Sequence, residues 1–447
     1  MKITHLASAS QLVHCGASTI LTDPWLVDGE YFGSWYHAPP YVGPVSDLKF
    51  DYIYVSHIHP DHFSKKTFRL LSRSRPVLVH NYRHKFLRRN LEELGFTVIE
   101  LDDGIPYEVS EGQITIFGAD NCNPQACLKL MGCGAVESAF GSTPIDSIAL
   151  FQDAMHAVVN VNDAPFALAS KAICEIRERV PNIELLLVGY AGAGPYPQCF
   201  SFPHGSALLQ AGERKKRQFL EQALDYVKAF SPKYYMPFAG TYVLGGSLAA
   251  RNPYRGMPDL RNAGEWLETH TKRHGLDCQS VQLDSLETFD LALSPGRHAA
   301  RGWSSAESER YAEETLAARS YDFEGEGPPT ISQFQELLAR ASERFFDKKK
   351  EIGFESEFLL SISLSESQDT LFDLASDQWL GIVPKGEVFK WEKYVAITVD
   401  PRLLSWLLQG PKYGHWGNAE IGSHLSFIRH PDIMERALYY CICFLHV

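Results

Sequence analysis

Residues 51–62 read Asp-Tyr-Ile-Tyr-Val-Ser-His-Ile-His-Pro-Asp-His, and they join a short apolar run to four potential metal ligands. The run at residues 52–55 predicts a buried strand. Two histidines at alternate positions leave the end of this strand together, and an Asp-His pair follows after a proline has turned the chain. Imidazole and carboxylate ligands suit Zn, Fe or Mn, and this spacing can supply two adjacent ions. The sequence therefore predicts that His57, His59, Asp61 and His62 bind a pair of metal ions.

The size and composition of the chain indicate a globular protein with more than one domain. Its 447 residues exceed the length at which a single core usually stops growing. The formal net charge of −12 argues against a nucleic-acid partner, because phosphates would be repelled. No apolar stretch approaches the ~20 residues of a membrane-spanning helix, and the first residues begin a strand pattern rather than a signal peptide. We therefore expect a cytoplasmic protein without a membrane span.

Short apolar runs alternate with helical periodicity along the first part of the chain, which predicts an α/β fold. The periodicity predicts helices at residues 82–94, 164–180 and 211–230. After about residue 293 the sequence pattern changes to charged helix-prone stretches followed by strand-like segments. We therefore expect a catalytic domain at residues 1–295 and an additional α+β domain at residues 296–447. The run at 396–404 faintly resembles sterol-carrier-like lipid-binding domains, and a cap that completes the substrate pocket is the alternative.

Further motifs lie before and after the histidine cluster in a characteristic order. They are Thr22-Asp23-Pro24-Trp25-Leu26, His37-Ala38-Pro39-Pro40, Asp163 after the strand at 158–161, Gly189-Tyr190-Ala191-Gly192-Ala193-Gly194, Glu213-Arg214-Lys215-Lys216 and Met236-Pro237-Phe238-Ala239-Gly240. With these motifs, roughly residues 1–250 resemble the CMP-N-acetylneuraminate hydroxylase branch of the metallo-β-lactamase superfamily. The chain also resembles the diiron hydroxylases of natural-product biosynthesis. The resemblance implies an αββα sandwich with two metal ions at one edge between the sheets.

The resemblance also implies which further residues bind metal. Asp163 lies where the superfamily places the carboxylate that bridges the two ions, and a helix N-cap is the alternative role. The third ligand of the first ion is normally a histidine from the segment 118–150, but this segment contains no histidine. The diiron hydroxylases of this fold resemble such a case, with an acidic residue instead. Glu137 is the favoured ligand, and Asp120 and Asp146 are the alternatives.

A second departure concerns the last histidine of the superfamily, which aligns with Ala239. A hydrolase-type second zinc site is therefore incomplete, and the open coordination position is what O₂ activation at iron requires. His37 is predicted to supply a replacement ligand or to line the pocket, with a surface turn as the alternative.

The substrate pocket is expected to include aromatic residues. Tyr190 and Tyr196, in and after the glycine-rich loop, and Trp35 are predicted to line it, and a position in the structural core is the alternative for Trp35. Three histidines near the C-terminus lack metal spacing and are predicted to be surface or capping residues: His415, His424 and His430.

These departures favour iron over zinc, because carboxylate oxygen stabilises the higher oxidation states of iron. The sequence predicts an O₂-dependent nonheme diiron monooxygenase that hydroxylates a bulky small-molecule substrate in natural-product biosynthesis, either free or tethered to coenzyme A or a carrier protein. Asp61, Glu137 and His37 are its predicted catalytic residues. Since no flavin, nicotinamide or Rieske motif is found, the electrons are expected from an external ferredoxin and reductase. The alternative is a binuclear Zn or Mn hydrolase of a phosphodiester, lactone or thioester.

Overall fold

The computed structural model describes residues 1–119, 146–293 and 300–447. Within these residues, two seven-stranded sheets pack face to face and carry helices on their outer sides. This αββα sandwich confirms the predicted metallo-β-lactamase fold. A separate five-stranded sheet with its own helices follows in the C-terminal part.

The first sheet has the strand order β16-β1-β2-β3-β5-β6-β7. Its strands are β1 (Lys2–Ala7), β2 (Ser10–Cys15), β3 (Ser18–Thr22), β5 (Tyr52–Tyr54), β6 (Val77–His80), β7 (Val98–Leu101) and β16 (Thr288–Asp290). The second sheet has the order β15-β13-β12-β11-β10-β9-β8. Its strands are β8 (Pro106–Val109), β9 (Gly112–Gly118), β10 (Ser147–Asp153), β11 (Ala157–Asn160), β12 (Leu185–Gly189), β13 (Tyr234–Phe238) and β15 (Gln279–Ser280).

Alternation along the strands builds the layers of the sandwich. In and just after β5, Tyr54 packs into the core between the sheets, whereas Ile53 and Val55 pack against the outer helices. In β12, Leu187 points into the same inner core and Leu186 points outward. Because successive side chains of a strand lie on opposite faces, an uninterrupted apolar run marks a strand covered on both sides.

The helices of the sandwich lie outside the sheets. They are α1 (Glu30–Gly33), α2 (Lys65–Phe68), α3 (Phe86–Glu93), α4 (Ser170–Arg179), α5 (Gly205–Phe230) and α6 (Leu260–Arg273). Helices α2 and α3 cover the first sheet, and α4, α5 and α6 cover the second. The sequence predicted helices at 82–94, 164–180 and 211–230, which correspond to α3, α4 and α5. The helix predicted from residue 164 begins only at Ser170, because a 3₁₀ turn at Phe166–Leu168 precedes it.

Parallel strand pairing places the metal-binding motifs at one edge. Strand β5 pairs in parallel with β3 and β6, and β11 pairs in parallel with β12. The histidine motif follows β5 in the first sheet, and Asp163 follows β11 in the second. The carboxyl ends of these strands therefore bring the two motifs together between the sheets.

The C-terminal part contains the five-stranded sheet, in the order β19-β18-β17-β20-β21. Its strands are β17 (Leu359–Ser363), β18 (Gln368–Asp373), β19 (Gln378–Pro384), β20 (Tyr394–Thr398) and β21 (Ser426–His430); its helices are α7 (Ser305–Tyr311), α8 (Ile331–Glu351), α9 (Pro401–Gln409), α10 (Trp416–Ile421) and α11 (Arg436–Ile442). Strand β4 (Trp35–His37) pairs with β14 (Tyr242–Leu244) apart from these sheets. No helix among the described residues is long and apolar enough to cross a membrane.

One continuous hydrophobic core joins the C-terminal part to the sandwich. Leu404 and Phe345 belong to it, and so do Trp25, Tyr31 and Trp35 from the first part of the chain. The domain boundary between residues 295 and 296 stays a prediction. What the packing shows is that aromatic residues near the metal-binding motif are covered by the C-terminal elements.

Candidate metal centre

Four of the predicted ligands meet at the edge between the sheets. The ligand atoms of His57, His62 and Asp163 all lie within 4.8 Å of one another. The Oδ2 atom of Asp163 is 3.4 Å from Nε2 of His62, and Nδ1 of His59 is 2.9 Å from Nε2 of His57. Imidazole nitrogens and a carboxylate at these separations form a donor set that fits a transition-metal ion.

Asp61 completes the group, and its orientation depends on a tyrosine from a distant segment. Its Oδ2 atom lies 3.6 Å from Nε2 of His62, while its Oδ1 atom accepts a hydrogen bond from the hydroxyl group of Tyr31. Tyr31 is buried and belongs to α1, between β3 and β4. We call the five residues His57, His59, Asp61, His62 and Asp163 the candidate centre. The contact of Tyr31 with Asp61 was not predicted from the sequence.

Asp23 and Ser56 contact the Nδ1 side of the two buried histidines, His57 and His62. Asp23 accepts hydrogen bonds from the Ser56 backbone N–H at 2.7 Å and from the Ser56 hydroxyl at 2.7 Å, and its Oδ2 atom lies 2.9 Å from Nδ1 of His62. The Ser56 hydroxyl oxygen is also 2.9 Å from Nδ1 of His57. These contacts occupy the Nδ1 side of both rings. Each ring is thereby oriented with Nε2 towards the other ligands, as in many metal sites.

The charges around the centre affect the two buried histidines differently. Burial, reinforced by His62 and His59, holds the pKa of His57 well below its ordinary value. Burial would also lower the pKa of His62, but the charges of Asp163, Asp23 and Asp61 together outweigh it and raise that pKa well above the ordinary value. A neutral His57 has the free lone pair that metal binding needs. The acidic groups around His62 would equally attract a cation.

Only one of the three candidates for the third ligand lies within the described residues. Glu137 and Asp120 lie outside them. The Oδ1 atom of Asp146 is 3.5 Å from Nδ1 of His57, on the side of the ring opposite to the nitrogen that faces His59. Among the described residues this buried oxygen has no hydrogen-bond partner, and burial followed by the charge of Asp163 raises the pKa of Asp146 to about 7. The identity of the third ligand stays a prediction.

His37 is held by other protein groups in this structure. Its Nδ1 atom lies 2.7 Å from Oδ1 of Asp28, and its Nε2 atom lies 3.1 Å from the carbonyl oxygen of Trp25. The ring is buried and packs against the Trp25 ring with a centroid separation of 4.0 Å. It is therefore not a surface turn histidine. Because both nitrogens face protein acceptors, the predicted role of His37 as a replacement ligand would require a different side-chain conformation.

The position that aligns with the last superfamily histidine has an unusual backbone. Ala239 has φ 58°, and its N–H donates to the carbonyl oxygen of Ser8 at 3.2 Å. An alanine in the left-handed region is uncommon, because the Cβ atom is crowded there. The methyl group at this position offers no donor to a metal ion.

The three predicted pocket residues occupy different surroundings. Tyr190 lines a cleft whose walls also include Tyr242 and Arg255. Trp35 is buried in the hydrophobic core and stacks on Tyr242 with a ring separation of 3.4 Å. Tyr196 packs near Phe200 with a ring separation of 5.5 Å. Neither Trp35 nor Tyr196 is among the described residues that line this cleft, so their contact with substrate stays a prediction.

Two histidines of the C-terminal part are held by backbone groups. Nε2 of His424 lies 2.8 Å from the carbonyl oxygen of Tyr31, whose hydroxyl group contacts Asp61. His415 accepts a hydrogen bond from the Gly417 N–H and caps α10, as predicted. Burial lowers the pKa of His415 to about 4, and the charge of His59 adds to this effect. This influence of His59 was not predicted, because no local spacing connects the two residues.

Part of this chain is similar in sequence to known proteins. No family model matches the chain. A provisionally named Rieske 2Fe-2S iron-sulfur protein from Mycolicibacterium smegmatis is 30% identical over 248 residues, which cover 54% of this chain and 43% of that protein. The mouse cytidine monophosphate-N-acetylneuraminic acid hydroxylase is 25% identical over 254 residues, which cover 54% of this chain and 39% of that protein. The resemblance to the hydroxylase branch is confirmed. The chain spans less than half the length of these curated relatives.

Solved structures with a similar fold include both hydroxylases and hydrolases. CmlA, a diiron β-hydroxylase from Streptomyces venezuelae, matches 64% of this chain and 53% of its own, with 16% identity and a TM-score of 0.42. The isothiocyanate hydrolase from Delia radicum gut bacteria matches 65% of this chain and 99% of its own, with 14% identity and a TM-score of 0.45.

Proposed function

We propose that this protein is an O₂-dependent nonheme diiron monooxygenase that hydroxylates a bulky organic substrate of natural-product biosynthesis. The observation that carries the proposal is the composition of the candidate centre. Two carboxylates, Asp61 and Asp163, lie among three imidazoles, and the last histidine of the zinc hydrolases is replaced by Ala239. The sequence relationship to hydroxylases supports the same assignment.

In this proposal, the protein residues hold and orient two metal ions. His57, His59, Asp61 and His62 would bind them, Asp163 would bridge them, and a carboxylate from Glu137, Asp120 or Asp146 would complete the first site. Bound iron would supply the redox chemistry by which O₂ is reduced during hydroxylation. Asp23 and Ser56 fix the rings of His57 and His62, and Tyr31 fixes Asp61, so that the donor atoms need little rearrangement on binding.

External electrons are part of the proposal, because hydroxylation by O₂ consumes two electrons beyond those of the substrate carbon. We propose a ferredoxin and its reductase as donors. The substrate is proposed to be free or tethered to coenzyme A or a carrier protein. The candidate alternative is a binuclear zinc or manganese hydrolase of a phosphodiester, lactone or thioester, and the same experiments distinguish it.

The first experiment is metal analysis of protein purified without added metal, combined with an assay on generic esters. We expect two iron ions per chain and no ester hydrolysis. Two zinc ions without iron, together with ester hydrolysis, would overturn the proposal.

The second experiment tests the source of the oxygen atom. With air alone we expect no turnover of a panel of candidate substrates, whereas ferredoxin, reductase and NADPH should start product formation. With ¹⁸O₂, the new hydroxyl group should carry the label. Product oxygen that comes from water, without a need for reductant, would show a hydrolase or hydratase.

Single substitutions test the ligand assignment. His59→Ala should lose much of the metal and all activity, since the pair of alternate histidines cannot be replaced by solvent without loss of site geometry. Full iron occupancy in this variant would contradict the assignment. Glu137→Gln should retain metal at reduced affinity with strongly reduced oxygen chemistry, and Asp120→Asn and Asp146→Asn are its matched comparisons. Unchanged turnover in Glu137→Gln would move the role to one of these two aspartates.

A further inference from the structure

A cleft of about 90 Å³ has walls that include Tyr190, Tyr242 and Arg255. The Tyr242 ring stacks on Trp35 with a ring separation of 3.4 Å, and Trp35 packs against Tyr31 at 4.5 Å. The Tyr31 hydroxyl group donates to Asp61. Three aromatic rings in contact therefore connect the cleft to the candidate centre.

Arg255 lines this cleft with its guanidinium group. One of its nitrogens, Nη1, donates to the carbonyl oxygen of Tyr242 at 2.6 Å and lies 3.5 Å from Sδ of Met257, and the group lies 4.8 Å from the centroid of the Tyr242 ring. Its Nε atom is buried and has no hydrogen-bond partner in the part of the chain that the structure describes. Among the described residues, no carboxylate oxygen lies within the 4.0 Å of an ion pair. Burying a guanidinium group without a counter-ion is costly, so an anionic ligand would be stabilised here.

Tyr190 adds a second unsatisfied donor to the same cleft. Its side chain is fully buried, and its hydroxyl group has no hydrogen-bond partner among the described residues. The ring lies over Gly240, where a Cβ atom would sit 2.4 Å from Cζ and 2.7 Å from the hydroxyl oxygen of Tyr190. Only glycine at this position leaves room for the ring. Burial and then the charge of Asp259 raise the pKa of Tyr190, and the charge of Arg255 opposes them.

Two acidic residues of the cleft, Asp259 and Asp284, accept hydrogen bonds from backbone N–H groups. Asp259 caps α6 through the Asn262 N–H at 2.8 Å and also accepts from the Ser305 N–H at 3.1 Å. Asp284 accepts from the Arg301 N–H at 2.7 Å. Both carboxylates are therefore held where they are.

The remaining charged residues of the cleft are Lys216 and Glu309. Lys216 pairs with Glu213 at 2.7 Å. Burial raises the pKa of Glu309, and the charges of Arg255 and Lys216 oppose this effect. Among the described residues, neither Lys216 nor Glu309 forms an ion pair with Arg255, so this guanidinium group still lacks a close anionic partner.

We propose that this cleft binds an oxyanion, a carboxylate or a phosphate group, through Arg255 and Tyr190. The planar guanidinium group matches the two oxygens of such a group, and a tyrosine hydroxyl can donate to one of them. The oxyanion belongs to the substrate, whose carbon to be oxidised extends from the cleft towards the candidate centre. This second statement rests on the proposed function, whereas oxyanion binding itself does not.

The test is calorimetric titration of metal-free protein with acetate, succinate and inorganic phosphate. The wild-type protein should bind at least one of them. Tyr190→Phe should weaken binding by about tenfold, and Arg255→Lys, which keeps the charge but loses the planar group, by about tenfold to a hundredfold. Lys390→Met, which removes an exposed positive charge outside the cleft, should bind as the wild type does. Phosphate as the tighter ligand indicates a phosphorylated substrate, and a carboxylate as the tighter ligand indicates a free acid.

Two outcomes would overturn the proposal: a wild-type protein that binds none of the three anions, or equal affinities in the wild type and Tyr190→Phe. Tyr190→Phe is the decisive variant because removing an unpaired buried hydroxyl group should not destabilise the fold. If the protein contains zinc and hydrolyses esters, the proposed monooxygenase is wrong while oxyanion binding can still be measured. If it hydroxylates but binds no anion, only the cleft assignment is wrong.

Discussion

The substitution Asp23→Asn tests whether the support behind the two buried histidines determines metal affinity. In the structure, the Oδ2 atom of Asp23 faces the Ser56 hydroxyl at 2.7 Å and Nδ1 of His62 at 2.9 Å, while Oδ1 accepts from the Ser56 backbone N–H. Asparagine keeps an acceptor oxygen for the Ser56 backbone N–H, but it places an NH₂ group opposite the Ser56 hydroxyl group and Nδ1 of His62. The backbone should not resist the change, because Asp23 has φ 41° and asparagine tolerates this left-handed region well.

The expected magnitude follows from these contacts. A hydrogen bond to a charged acceptor contributes about 1.5–3 kcal/mol, so the loss of two should lower the free energy of unfolding of the metal-free protein by about 3 kcal/mol or more. The ring of His62 would also lose the partner that fixes its Nδ1 side. Substituting such a supporting group typically lowers metal affinity by about 10- to 100-fold.

The assay combines urea unfolding of the metal-free protein with anaerobic titration of Fe(II). Asp369→Asn is a matched control, because Asp369 is a buried aspartate of the five-stranded sheet whose Oδ2 atom accepts from the Gly386 N–H at 2.8 Å. This control should lose stability and keep its metal affinity. Unchanged metal affinity in Asp23→Asn, or an equal loss in the Asp369→Asn control, would refute the reasoning.

Three further predictions concern the surroundings of the centre. Tyr31→Phe removes the hydroxyl donor to Asp61 and should weaken Fe(II) binding by about tenfold in the same titration, and an affinity equal to that of the wild type would contradict it. Burial raises the pKa of Glu30 to about 7, so the folded state holds this proton more tightly and loses stability as the pH rises from about 4.5 to about 7. Glu30→Gln should therefore raise the thermal midpoint at pH 8, by an amount equivalent to about 3 kcal/mol, and change it little at pH 4.5. Equal shifts of the midpoint at both pH values would contradict this prediction. Leu404→Ala removes a fully buried side chain from the core shared with the sandwich and should cost about 2–5 kcal/mol in a single unfolding transition; separate transitions for the two parts would contradict a shared core.

Some features of the fold were beyond sequence reasoning because their signals are weak. The strand at Gln378–Pro384 is partly exposed and Gly381 interrupts its apolar residues, and the six-residue helix at Trp416–Ile421 is too short for periodicity to identify. Both were missed. The strand-like segments expected after residue 293 include β18, in which residues 369–372 are all buried.

The sequence by itself determined the ligand cluster of residues 57–62, because these side chains follow one buried strand and are brought together by local chain geometry. The role of Asp163 was predicted from the family resemblance, and the structure places this residue against His62. Only the tertiary structure decided that Tyr31 contacts Asp61 and that both ring nitrogens of His37 face protein acceptors. Such contacts join different segments through packing, and the spacing of residues along the chain holds no information about them.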